Sequence, residues 1–117
     1  MTHFYNWEDV ERQEALKKVY RKIVTGKKIM LVRYEQMPGS PEFPIHKHPH
    51  EQMGCVFEGN IEFTIGSEKK VLGPGDGYVV PSNVEHGSKV VGNKTVVLLD
   101  IFSPIREDYL EKAKKLV

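Results

Sequence analysis

The sequence has a single cysteine, one tryptophan and no excess of either charge: seventeen Lys and Arg stand against sixteen Asp and Glu, a formal net charge of +1. One cysteine excludes an intrachain disulfide and a cysteine-rich zinc site, and it permits a reducing, cytoplasmic setting. The even charge leaves no electrostatic footprint for nucleic acid or an anionic membrane. No apolar run approaches the ~18 residues that a membrane-crossing helix needs. The opening MTHFYNWEDVER has no basic stretch followed by an apolar one, so no signal peptide is expected. Linkers, low-complexity tracts and repeats of solenoid period are missing too. What remains, 39% hydrophobic and 28% charged over 117 residues, suits one globular domain with a modest core.

The chain opens with helix-forming residues. Asn6 can cap a short helix with Glu8 and Asp9 in its first turn, and residues 7–18 favour a helix. Residues 19–24 fit either a helix or a strand, because Val19, Tyr20 and Ile23 satisfy both patterns. After Gly26 the texture is that of a β protein. Candidate strands cover 29–34, 53–57, 61–65, 71–72, 78–80, 87–91 and 95–102, separated by turn signals such as Glu58-Gly59-Asn60 and Gly73-Pro74-Gly75-Asp76-Gly77. Many short strands of this kind suggest a sandwich or small barrel. At the end Ser103 can cap a second helix, with Pro104 at its first position and Tyr109, Ala113 and Leu116 on one face. Lys112, Lys114 and Lys115 then read as a solvated, dipole-compatible face.

Four of the five histidines fall near two turn-bounded strands. In Pro44-Ile45-His46-Lys47-His48-Pro49-His50-Glu51-Gln52, a strand conformation would project His46 and His48 to one face, about 6.5–7 Å apart. Two imidazoles so placed can converge on one ion, and Gln52 keeps the same parity. A third imidazole must come from elsewhere. His86 follows Pro81-Ser82-Asn83-Val84-Glu85, and only a folded sheet can bring it to His48. By itself His-x-His is a weak signal that surface histidines also produce.

The two segments together resemble the cupin superfamily. His46 to Gln52, followed by a strand and Gly59, is similar to its first motif, and Pro74-Gly75-Asp76 through Pro81 to His86 is similar to its second. The resemblance implies an all-β double-stranded β-helix, a jelly-roll barrel, with a metal inside held by His46, His48, Gln52 and His86. Such a nitrogen-rich site accepts one divalent ion, whether nickel, zinc, manganese or iron. Gln52 replaces the commoner glutamate and leaves the site one negative charge poorer. That favours Lewis-acid work on an anionic oxygen substrate over oxygenase chemistry. Lys47 replaces the small residue usual between the two histidines, and Cys55 stands where the family carries an aromatic, which bears on pocket shape.

A narrower resemblance rests on HPHEQ at 48–52, on Arg21-Lys22-Ile23-Val24-Thr25-Gly26, and on the segment from Asp100 to Tyr109. These resemble the small single-domain cupins of pectin and alginate breakdown, which linearise 4,5-unsaturated monouronates to 4-deoxy-5-keto-uronates. The resemblance implies a strand over 19–24, and catalytic roles for Asp100, Phe102 and Arg106. Each role is chemically apt: an Asp beside a cation site can move a proton, a Phe can pack on a sugar ring, and an Arg can hold a carboxylate by its fork. It also implies a small-molecule sugar-acid ligand and a homodimer paired through an exchanged N-terminal strand. The expected organisation is an N-terminal helical segment at 1–18, the barrel at 19–103 and a C-terminal helix at 104–117. Alternative functions are a metal-dependent dioxygenase or isomerase of another small polar metabolite, or a non-enzymatic sugar or metabolite-binding module.

Other residues carry less. His50 reads as second-layer or surface, His3 as part of a loose end, and Cys55 as a packed thiol with no activating partner. The Gly73–Gly77 segment lacks the GK[ST] of a phosphate loop. Glu35, Glu42 and Glu58 read as solvated.

Overall fold

The computed structural model describes residues 2–115. Its strands are β1 (Gln13–Leu16), β2 (Val19–Thr25), β3 (Met30–Gln36), β4 (Phe43–His46), β5 (Glu51–Glu58), β6 (Asn60–Ile65), β7 (Glu68–Leu72), β8 (Gly77–Val80), β9 (His86–Val91), β10 (Val96–Ser103) and β11 (Lys114–Lys115). The larger sheet runs β1-β2-β3-β10-β5-β8, with β11 joined to β2, and the smaller runs β4-β9-β6-β7. This is the expected all-β architecture of two mainly antiparallel sheets.

Alternation makes the core. Along β3, Met30, Val32, Tyr34 and Gln36 are buried while the residues between them are half-buried, as a strand with one face against a core requires. The inward side chains of both sheets meet in one cluster that includes Ile23, Met30, Val56, Ile61, Leu98 and Phe102. Burying a side chain of this size contributes about 1.5–3 kcal/mol. Two cross-strand rows of the larger sheet break the apolar pattern. One reads Val32, Asp100, Gly54, Tyr78; the next reads Met30, Phe102, Gln52, Val80. Asp100 and Gln52 therefore enter the core from neighbouring strands, and both are buried.

The two expected helices are corrected. Trp7–Asp9 is a single 3-10 turn, capped as expected by Asn6, whose side chain accepts from the Glu8 N–H at 2.9 Å. The rest of the helix-prone segment forms β1, antiparallel to β2 through a tight turn in which Lys18 has φ 64°. Ala15 and Leu16 pack against the core from this strand, and that packing overrides helix propensity. At the other end Ser103 closes β10 and Arg106, not Ser103, precedes a 3-10 helix at Glu107–Lys112. Then β11 pairs parallel with β2. Leu116 lies outside the described residues. The larger sheet thus draws strands from outside the expected 19–103 segment.

β2 has an unusual edge. β3 occupies one side along its full length, whereas β1 reaches residues 19–21 and β11 residues 24–25 on the other. The two short strands share that border, and the Gln13 side-chain amide ties β1 to the end of the 3-10 helix before β11 by donating to the Lys112 carbonyl at 2.6 Å. No helix among the described residues is long and apolar enough to cross a membrane.

Candidate metal centre

His46, His48 and His86 come together as a group whose ligand atoms all lie within 4.8 Å of one another. The route differs from the expected single strand. β4 ends at His46, His48 sits in the connecting loop, and β5 starts at Glu51. His46 faces His86 directly as cross-strand partners of β4 and β9. The His48 loop is laced to the loop before His86: the Asn83 N–H donates to the His48 carbonyl at 2.8 Å, and the Ser82 hydroxyl donates to the Pro49 carbonyl at 2.6 Å. Pro81-Ser82-Asn83 thus positions the second arm of the cluster, with Asn83 itself in the left-handed region at φ 61°.

All three rings are oriented alike. Nδ1 of His46 lies 2.8 Å from the Pro44 carbonyl, Nδ1 of His48 lies 3.0 Å from the His50 carbonyl, and Nδ1 of His86 lies 2.9 Å from the Val84 carbonyl. A carbonyl can only accept, so each Nδ1 carries the proton and each Nε2 presents a lone pair. That is how backbone acceptors prepare imidazoles for a cation. Nε2 of His86 is buried without a hydrogen-bond partner, and Gln52 Oε1 lies 3.2 Å from Nε2 of His48. An acceptor oxygen beside an imidazole lone pair, with no proton to share, suits a donor set for a positive ion. Burial holds the His86 pKa down to about 4, aided by the neighbouring His46 and His48, and against the Val84 hydrogen bond. Burial also lowers that of His48, with the Arg106 charge adding to it. Both rings are therefore neutral and available at neutral pH. The three histidines can hold a divalent metal, and the residues fit it.

The cluster opens on a cavity of about 50 Å³ with a wide mouth, lined in part by His46, His86, Gln52, Asp100, Phe102 and Arg106. Every expected site residue except His48 thus lines the cavity, and His48 touches it through Gln52 and through Phe102, whose ring centre is 5.7 Å away. Asp100 lies on the floor, hydrogen-bonded by the Tyr78 hydroxyl. Burial raises its pKa to about 6, opposed by hydrogen bonds from Tyr78 and Gln52 and by the charge of Arg106. Gly54 makes this contact possible: it stands between Asp100 and Tyr78 in the cross-strand row, and a Cβ there would come within 2.3 Å of the tyrosine ring.

Arg106 leaves the expected helix and turns to the mouth. Its guanidinium carbon is 4.2 Å from the Tyr109 ring centre and 5.2 Å from that of Phe102. Its Nη2 and Nε donate to the two Asp108 oxygens at 2.8 and 3.2 Å. Burial works to raise the Asp108 carboxyl, but the hydrogen bonds and charge of Arg106 hold it below the ordinary value.

Sequence reasoning missed Tyr78, Asp108 and Tyr109 as parts of this site. A glycine inside a strand at 54 was the available signal for close approach. His50 contributes its carbonyl to His48, and its ring lies edge-on at 5.5 Å. Cys55 lies outside the cavity lining, on the parity of exposed Met53, so it does not shape the pocket directly. His3 lies beside Val24 and Ile29, at a surface hollow away from the cluster. Asp76 caps the turn between β7 and β8 by accepting from the Gly73 N–H at 2.9 Å.

The family profile described as "Cupin domain" matches residues 32–102. The pectin degradation protein KdgF of Dickeya dadantii (strain 3937) is 34% identical over 112 residues, covering 94% of this chain and all of that protein. The structure of KdgF from Halomonas sp. superposes with a TM-score of 0.82 at 31% identity, covering 92% of this chain and 98% of the other. An RmlC-like cupin from Shewanella frigidimarina NCIMB 400 gives 0.84 at 32% identity, over 93% and 96%. The chain belongs to the cupin family, among the small cupins that resemble the KdgF proteins.

Proposed function

We propose that this cupin linearises 4,5-unsaturated monouronates from pectin or alginate breakdown to open-chain 4-deoxy-5-keto-uronates. The observation that carries the reading is a buried carboxyl, Asp100, on the floor of the cavity that His46, Gln52 and His86 also line. The likeness to two pectin-degradation KdgF proteins over nearly the whole chain supports it. His46, His48, Gln52 and His86 would hold one divalent ion, which supplies Lewis-acid polarisation of substrate oxygens when bound.

The reaction is an isomerisation. The ring C1–O5 bond breaks, the anomeric hydroxyl gives up its proton to leave an aldehyde, and C4 gains a proton as the C5 enol becomes a ketone. Asp100 takes and returns the proton, and a carboxyl whose pKa is raised to about 6 is suited to both near neutrality. Tyr78 and Gln52 fix its orientation. Phe102 offers an apolar face to the sugar ring. Arg106 holds the uronate carboxylate with the guanidinium edge that Asp108 leaves free.

The reading includes a homodimer in a reducing compartment. In a dimer paired through an exchanged N-terminal strand, β1, which here pairs with β2 of its own chain, would pass between two copies, and sedimentation would measure their pairing. The direct test mixes metal-loaded protein with unsaturated galacturonate. The expected result is loss of the enol-ether absorbance faster than the spontaneous rate. No excess rate with several divalent metals would overturn the proposal.

A further inference from the structure

One guanidinium near the cavity has no counter-ion among the described residues. Arg21 projects from β2 on the parity of buried Val19 and Ile23, and its cross-strand partner is Tyr34, which lines the cavity. Arg21 forms no salt bridge among the described residues, and its Nε is buried without a hydrogen-bond partner. Its guanidinium carbon is 4.3 Å from the centre of the Tyr109 ring, the ring on which Arg106 also rests at 4.2 Å. The two guanidinium carbons are therefore no more than about 8.5 Å apart, the sum of the two ring distances. Like charges at that separation repel, and within a Debye length salt does not screen them fully. Asp108 is bonded to Arg106, and Asp100 is engaged by Tyr78. Neither carboxylate pairs with Arg21, whose guanidinium is left without an ion-pair partner among the described residues.

We propose that Arg21 is a positioning residue that sets specificity: a second cation on the Tyr109 ring which, together with Arg106, makes the cavity select a sugar acid over the neutral sugar. The inference rests on reading the cavity as a uronate site. Arg21 acts in two ways. Its flat guanidinium holds the Tyr109 ring that supports Arg106, and its unpaired charge favours an anion in the cavity. A substrate carboxylate would supply the counter-charge that Arg21 lacks among the described residues.

The test measures binding of galacturonate and of galactose to the metal-loaded protein by calorimetry, for wild type, Arg21→Gln and Arg21→Lys, with thermal unfolding of each. The expected result is that R21Q weakens galacturonate about five- to tenfold, leaves galactose unchanged, and loses most of the difference at high salt. R21K, which keeps the charge, stays within about threefold of wild type; if R21Q fails to fold, a greater loss in R21K overturns the inference. So does equal weakening of both sugars, unchanged galacturonate affinity in R21Q, or a wild type that does not prefer the acid. A wild type that prefers galacturonate and yet fails to consume the unsaturated substrate sinks the ring-opening reading and leaves the role of Arg21 standing.

Discussion

Replacing Asp100 by Asn should stabilise the metal-free protein at neutral pH while removing its activity. The carboxyl is 6% exposed, and burial moves its pKa from 3.8 to about 6. A carboxyl whose folded-state value is raised favours folding only while protonated. Its contribution is complete below about 3.8 and is lost as pH rises through about 6. Each pH unit of that rise corresponds to about 1.36 kcal/mol, so the ionised form is about 3 kcal/mol costlier to bury than the protonated one. Asn has the protonated shape without the charge, and the Tyr78 hydroxyl still finds an amide oxygen. Urea unfolding of chelator-treated wild type and D100N between about pH 4.5 and 8 measures this. His86, held down to about 4, has the opposite slope: its stability is present above its ordinary value and fades as pH falls toward 4. Because both proteins keep His86, the difference between them isolates Asp100. The expected advantage of D100N is up to about 3 kcal/mol at about pH 8, shrinking toward zero below about pH 4.5. A variant that is less stable than wild type at the alkaline end, or an advantage that does not change with pH, would refute the reasoning.

Gly54→Ala should cost several kcal/mol, about the scale of core overpacking, because its Cβ would meet the Tyr78 ring at 2.3 Å; Gly54→Ala with Tyr78→Ala should recover part of the loss in a thermal melt. His86→Ala should weaken divalent-metal binding by more than about a hundredfold, beyond what loss of a mere outer partner costs, read by competition with a chromogenic chelator. Arg106→Lys should raise KM for the uronate about tenfold with kcat changed less, since an ammonium cannot offer the fork; equal loss in both would point to a transition-state role instead.

The histidine cluster was legible through the two motifs that resemble the cupins, since His-x-His alone is a weak signal and His86 is far from it in sequence. His46 and His86 are cross-strand partners, which turns a separation of forty residues into direct contact. The strand continuity assumed from His46 to Gln52 was not legible, since the break depends on hydrogen bonds from Ser82 and Asn83 that no local pattern encodes. The helices at both ends failed for a related reason. Residues 13–16 have good helix propensity, but β2 has an edge whose backbone groups bond to them, and tertiary hydrogen bonding outweighs a weak local preference. Asp100 was visible only through resemblance; its raised pKa comes from burial, opposed by Tyr78 reaching across Gly54, relations between strands far apart in sequence.

The shared border of β2 has a consequence for handling this protein. Neither β1 nor β11 covers that border alone, so peeling either one away bares part of the Val-Tyr-Arg-Lys-Ile-Val-Thr run to other chains. Truncations or fusions that disturb residues 13–16 or 114–115 would then favour fibrous or swapped assemblies before the metal cluster itself is touched.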